Sequence, residues 1–146
     1  MPPAFGAELF PKLFIAGAWQ SMTNLLIVMA GGGLGAGLRH LSGLAALHLL
    51  GPGFPWGTAF VNVSGSFLMG VLVELLARKL GMTEQWRLFL ATGFLGGFTT
   101  FSSFSVDAVN LIDRGATGLA FLYVTGSVVL GIAGLFAGLA AARVLA

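Results

Sequence analysis

Gly93-Phe94-Leu95-Gly96-Gly97-Phe98-Thr99-Thr100-Phe101-Ser102-Ser103-Phe104-Ser105 lies inside an apolar run with no charge between Arg87 and Asp107. That gap of nineteen residues, Leu88 to Val106, is long enough to cross a bilayer core of about 30 Å. Its centre is nevertheless a poor helix sequence. Gly96 and Gly97 each cost about 1 kcal/mol relative to Ala, and the β-branched pair Thr99-Thr100 follows at once. Lipid offers no partners for freed backbone groups, so a broken segment at this depth must be buried in protein or line a wet cavity. Five hydroxyls and two phenylalanines then fall within the seven residues from Thr99 to Ser105. The stretch therefore predicts an interrupted backbone at mid-membrane, near residues 96–99, carrying a polar path flanked by aromatic rings.

The rest of the chain supports a membrane setting. Of 146 residues 57% are hydrophobic and 8% charged, with a mean hydropathy of +0.96; soluble domains are about 25% charged. Four uncharged stretches can span, at Leu13–Leu38, Phe54–Val73, Leu88–Val106 and Gly115–Ala142. The expectation is an all-α membrane protein of four transmembrane helices, the third broken at its centre. Cysteine is absent, which removes disulfides and thiolate metal sites. The net charge of +2 comes from few groups, fits basic membrane flanks and gives no reason to expect nucleic acid. Twenty-three glycines, paired four apart at Gly31/Gly35, Gly33/Gly37, Gly93/Gly97 and Gly134/Gly138, predict close helix packing. So short a bundle encloses little by itself, and oligomerisation is the expected route to a pore.

Residues 1–22 read as an N-terminal extension ahead of a four-helix domain over 23–146. Glu8 sits where a signal peptide wants positive charge, Pro11 interrupts the pattern, and Met22 begins a stretch resembling a natural N-terminus. The segment suits either that reading or an interfacial one with Phe10, Phe14 and Trp19 at the headgroups. Helix 1 is expected from about Asn24 to about His48. Its run Gly31-Gly32-Gly33-Leu34-Gly35-Ala36-Gly37 lacks the strand and water-facing phosphate site of a dinucleotide loop, and packing explains it better. Arg39 suits either a snorkelling anchor or a charge that draws anions to a pore mouth. His40 and His48 have no metal-ligand companions and read as interfacial.

Gly51-Pro52-Gly53-Phe54-Pro55 is a turn, with Pro55 suited to the first turn of helix 2. Thr58, Asn62 and Ser66 then form one polar stripe. Ser and Thr commonly bond back to their own helix, whereas an Asn amide seeks a partner helix, water or an ion. Glu74, Arg78 and Lys79 mark the membrane exit, and Glu74 with Arg78 offers an i, i+4 pair. Thr83 suits a cap for helix 3, with Trp86 and Arg87 in an interfacial belt. Phe101 and Phe104 share a face, as plain packing or as rims of a path. Asp107 reads as a boundary charge, and Asp113-Arg114-Gly115 as a turn. Helix 4, about Ala116 to Val144, puts Tyr123, Ser127, Gly131, Gly134 and Gly138 on roughly one face. Tyr123 suits a belt or a pore wall.

Chemistry narrows the function. No Asp, Glu, Lys or Arg lies well inside any span, so the deep acid of a proton-coupled antiporter is missing. A nucleophile–base pair and carboxylates at catalytic spacing are missing too, which argues against an enzyme. A non-transporting assembly subunit has only the glycine contacts in its favour. Hydroxyls, one amide and phenylalanine rings remain at depth. Hydroxyl and amide donors can replace water around an anion, and ring edges are the positive end of the aromatic quadrupole. Carbonyls freed by a break can instead hold a cation such as Na⁺.

These residues carry a family resemblance. Gly32-Gly33-Leu34-Gly35-Ala36 with Arg39, Gly57-Thr58 with Val61-Asn62, Gly65-Ser66-Phe67, and Gly93 to Ser105 resemble the fluoride channel family called Fluc or CrcB. The resemblance covers about residues 24–145. It implies a dual-topology antiparallel homodimer with two fluoride pores, passively exporting fluoride across the bacterial cytoplasmic membrane. It further implies that Phe101 and Phe104 are rings beside the fluoride path and that Asn62 donates to the ion. Ser102, Ser103, Tyr123 and Ser127 would border a polar track, with Arg39 near an aqueous vestibule. A structural Na⁺ would be held by backbone carbonyls of Gly96 and Thr99. Three features depart from the pattern. Asp107 stands where the family often has Glu, and Gly131 where some members carry a track serine. Lys12, Arg78, Lys79, Arg87 and Arg143 on one side face only Arg39 and Arg114 on the other. Dual insertion expects near balance, so an opposite-facing homologous partner chain is an alternative.

Overall fold

The computed structural model describes the backbone of residues 9–77 and 82–145, and the side chains of residues 20–77 and 82–144. Every regular element among them is helical: α1 (Leu9–Leu50), α2 (Trp56–Ala77), α3 (Glu84–Arg87), a π-helical segment (Leu88–Leu95), α4 (Gly96–Phe98), α5 (Phe101–Asp113) and α6 (Thr117–Leu145). Four spans are long and apolar enough to cross a bilayer: Gln20–Leu50, Trp56–Ala77, Glu84–Asp113 and Thr117–Val144. Large apolar side chains such as Leu26, Met29, Phe121 and Val129 cover the outside, as expected where lipid is the solvent.

Helix 1 begins earlier than its sequence pattern implied. The expected start at Asn24 is internal to α1, which already runs from Leu9. Pro11 falls in the first turn, where a missing N–H forfeits no helical bond, so it does not separate residues 9–22 from the span. With 42 residues at 1.5 Å rise, α1 is about 63 Å long, twice the hydrocarbon thickness. The side chains of Phe10, Lys12, Phe14 and Trp19, and the suggested pairing of Glu74 with Arg78, lie outside the described residues, as does Lys79.

The turns follow the sequence closely. Gly51 ends α1 at φ 77°, its N–H bonding Leu47 O at 3.0 Å, a left-handed cap that glycine adopts without a Cβ penalty. Pro55 sits one residue ahead of α2, its carbonyl accepting from Ala59 N. Thr83 caps α3 through Trp86 N. Gly115, at φ 75°, closes α5 by a Schellman pair: Gly115 N to Ile112 O at 2.8 Å and Ala116 N to Leu111 O at 2.9 Å.

Glycine sets the packing. A Cβ on Gly35 would run into Phe94 O and one on Gly97 into Gly32 O; Gly31 and Gly93 face each other's helices in the same way. On the opposite side, Gly70 meets Leu135 O and Gly138 meets Phe67 O. Thus α1 seats the first half of the third span, and α2 seats α6. Three of the four expected glycine pairs do this work; Gly33 and Gly37 instead face open space, with nothing within 4 Å of a built Cβ.

The third span is interrupted, but not at the glycines. Gly96 and Gly97 remain helical in α4, and the chain opens two residues later, at Thr99 (φ −82°, ψ 160°) and Thr100 (φ −154°, ψ 120°). Helix propensity pointed to the glycines; tertiary packing keeps Gly97 helical, because only a Cβ-free helix can approach Gly32 of α1 so closely. Extended backbone is where β-branched threonine is at ease. Beyond the break α5 leaves α1 and packs on α6. The π-helical stretch just before it was not expected. There bonds run to the fifth preceding carbonyl, as from Gly96 N to Ala91 O, a widening often found at functional sites.

Candidate pore-lining site

At the break, Thr100 N and the carbonyls of Thr99 and Thr100 bond to side chains of other helices. Thr100 is buried, and Asn62 of α2 meets both its polar groups: Thr100 N donates to Asn62 Oδ1 at 2.7 Å, and Asn62 Nδ2 donates to Thr100 O at 2.9 Å. Each such group left unpaired at this depth would cost several kcal/mol. Thr100 Oγ1 caps α5 by accepting from Ser103 N at 3.2 Å, donates to Ser103 Oγ at 3.1 Å, and lies 3.3 Å from Ser102 Oγ. Thr99 O accepts from Arg39 Nη1 of α1 at 3.2 Å, and Thr99 Oγ1 bonds back to Leu95 O. Because Thr100 N is turned to Asn62, it does not close a bond to Gly96 O.

Two clefts flank this break. One, about 350 Å³, is open on one side and walled by Asn62, Ser66, Thr100, Phe101, Phe104 and Ser127 among others, without a charged side chain. The Phe101 and Phe104 ring centroids are 5.6 Å apart, and Phe101 is 79% exposed. The Ser127 hydroxyl has no hydrogen-bond partner among the described residues, whereas Ser42, Ser64, Ser66, Ser105 and Thr125 bond back to their own helices. The second cleft, about 380 Å³, is polar and includes Arg39, His40, Thr58, Thr100 and Ser103.

The sequence is similar to proteins of known kind along the same length. A family described as "CrcB-like protein, Camphor Resistance (CrcB)" matches residues 26–139, which reach from α1 into α6. The chain belongs to the CrcB family. A relative from Agrobacterium fabrum named "Fluoride-specific ion channel FluC" is 56% identical over 122 residues, 84% of this chain and 98% of its own. One of the same name from Mesorhizobium japonicum is 55% identical over 124 residues, covering 85% and 99%. Another, from Cereibacter sphaeroides, is 56% identical over 122 residues, covering 84% and 96%.

In this CrcB chain the expected site residues fall into three groups. Asn62, Phe101, Phe104 and Ser127 share the uncharged cleft. Ser103 and Arg39 line the polar one, while Ser102 stays with Thr100 Oγ1 at the break. Tyr123 lies elsewhere. It is 1% exposed, packed with Leu111 and Ala120, its ring 5.1 Å from Phe104 and 5.5 Å edge-on to Phe54. Its hydroxyl donates to Asp107 Oδ2 at 3.3 Å, and Thr58 Oγ1 donates to the same oxygen at 2.6 Å. Asp107 is therefore more than a boundary charge: it ties α2, α5 and α6 together. Sequence reasoning passed over Asp107 and Thr58 as partners, and Thr100 as the hinge. Thr58 in the polar stripe of α2 was the available signal; its partner 49 residues away was not.

Proposed function

We propose that this CrcB chain forms a passive fluoride-selective channel, as its relatives are named, and exports fluoride down its gradient. The observation that carries the reading is the uncharged cleft at the break, where aromatic rings, an amide and a serine hydroxyl with no partner among the described residues converge. Fluoride is small and a strong hydrogen-bond acceptor. Donation from Ser127 and from the second N–H of Asn62, with the positive edges of Phe101 and Phe104, would replace part of its hydration. Larger, more weakly accepting anions such as chloride gain less from those donors and meet the same apolar walls. Arg39, with Ser103 and Thr58 in the polar cleft, would raise the local anion concentration at the mouth. Ser102 and Tyr123 act through their neighbours, holding the break and the Phe104 ring.

The open side of the cleft calls for a second wall, which an antiparallel second copy supplies in this reading, giving two pores in a bacterial cytoplasmic membrane. The carbonyls of Gly96 and Thr99 would hold a structural Na⁺: both are hard oxygen donors, Gly96 O is not closed by Thr100 N, and Thr99 O has a second lone pair beside the one that accepts from Arg39 Nη1. One chain offers few ligands, so two copies would share the ion. When bound it supplies a fixed positive charge beside the pores. A pairing with an opposite-facing homologous chain is the second reading, favoured by the five-to-two charge imbalance between the two faces.

The test is efflux from liposomes carrying the purified protein. Rapid fluoride release with chloride retained is the expected result; equal leakage of the two anions would defeat the proposal.

A further inference from the structure

We propose that His40 is a second, titratable charge in the polar cleft and that, with Arg39, it makes the cleft an anion-gathering mouth that strengthens as the pH falls. The cleft follows one stripe of α1: Ala36, His40, Gly43 and Leu47 line it at the spacing of a helix face. His40 lies ten residues before Leu50, where α1 ends, so it stands about 15 Å along the helix from that end. That is about half the thickness of a hydrocarbon core of about 30 Å. Ionisable side chains at such depth face a bundle interior or a wet cavity and mark ion pathways. His40 is exposed, lines a polar cavity, and has no hydrogen-bond or ion-pair partner among the described residues.

The charges around it call for an anion. Arg39, its neighbour in sequence, donates to Thr99 O at 3.2 Å, a neutral acceptor that leaves the guanidinium charge unbalanced. The cleft gains only hydroxyls from α2 and the third span, at Thr58, Thr100 and Ser103, beside apolar groups. Asp107 does not line the cleft; its carboxylate accepts from Thr58 Oγ1 and from the Tyr123 hydroxyl of α6, which is outside the lining too. Imidazole is the side chain that changes charge between about pH 5 and 8. At the alkaline end the cleft carries one positive charge. At the acid end it carries two, adjacent in sequence and with no carboxylate among the lining residues. An anion relieves their repulsion, and low-dielectric walls concentrate the field on the opening. Proton uptake by His40 therefore raises the anion concentration beside the break.

The inference rests on the channel reading, and the experiment separates the two. Fluoride efflux is measured from liposomes at equal pH inside and out, from about pH 5.5 to 8, over the leak of protein-free liposomes. Each variant is first shown to be monodisperse on size exclusion. Wild-type efflux should rise about threefold toward the acid end, the size of a modest Coulomb attraction. His40→Asn should hold the low, alkaline rate throughout, and His40→Arg, charged across the whole range, should hold the high one. His48→Asn removes the other histidine of the chain, which stands outside the cleft, and should keep the wild-type slope. A wild-type rate that is flat or falls toward acid overturns the inference. So does an acid rise that survives in His40→Asn, or a His40→Arg rate no higher than that of His40→Asn. Wild-type liposomes that release no fluoride at any pH defeat the channel reading, and this inference falls with it.

Discussion

The two halves of the third span solve one problem in opposite ways. From Leu88 to Phe98 the chain stays helical, and Gly93 and Gly97 press against the glycines of α1, so close that backbone touches backbone. From Thr99 onward the backbone opens, and side chains from two other helices, Arg39 and Asn62, occupy the groups that the opening frees. One half is closed by the absence of side chains, the other held open by their presence. A helix break deep in a membrane therefore needs no glycine at the break; it needs partners waiting for it.

The contrast can be broken most severely on the closed half. Gly35→Val drives a branched side chain into Phe94 O and Phe98 N, which are backbone and cannot yield. The expected cost is about 3 kcal/mol or more, seen as loss of monodisperse protein on size exclusion. On the open half, Phe101→Ile should leave the folded yield unchanged while fluoride efflux falls about tenfold, the upper range for an aromatic contribution; Phe104→Ile should lose efflux likewise and also some stability, because its ring packs on Tyr123. If both variants conduct normally, those rings are packing only. Ser127→Ala removes a hydroxyl that supports no helix, so its melting temperature should hold while efflux falls about threefold, one modest hydrogen bond. The smallest effect is a control: Gly33→Ala, two residues from Gly35, has empty space to fill. It should match or exceed wild-type thermal stability by up to about 1 kcal/mol of helix propensity. A loss of stability there in the assembled protein would instead reveal a neighbour on that face.

The four spans, the turns at Gly51 and Gly115, the Thr83 cap and the grouping of Phe101 with Phe104 were all legible, because each depends on residues adjacent in sequence. The site was legible in part. Asn62 stood out since a lone amide in an apolar helix demands a partner, but nothing local said that the partner is the backbone of Thr100. Tyr123, on a helix face with Ser127, suited a belt or a pore wall; nothing local announced its bond to Asp107 or its ring contact with Phe104. The π-helical turn left no trace in composition.

Residue types and their spacing by themselves determined that this chain lives in lipid, crosses it four times, and carries its polar groups around one weak point. Tertiary structure alone decided where that weak point opens. Local propensity names glycine as the breaker, yet the free energy of seating Gly93 and Gly97 against α1 outweighs it. The interruption then falls at the next residues, where extended threonines find a guanidinium and an amide already placed to receive them.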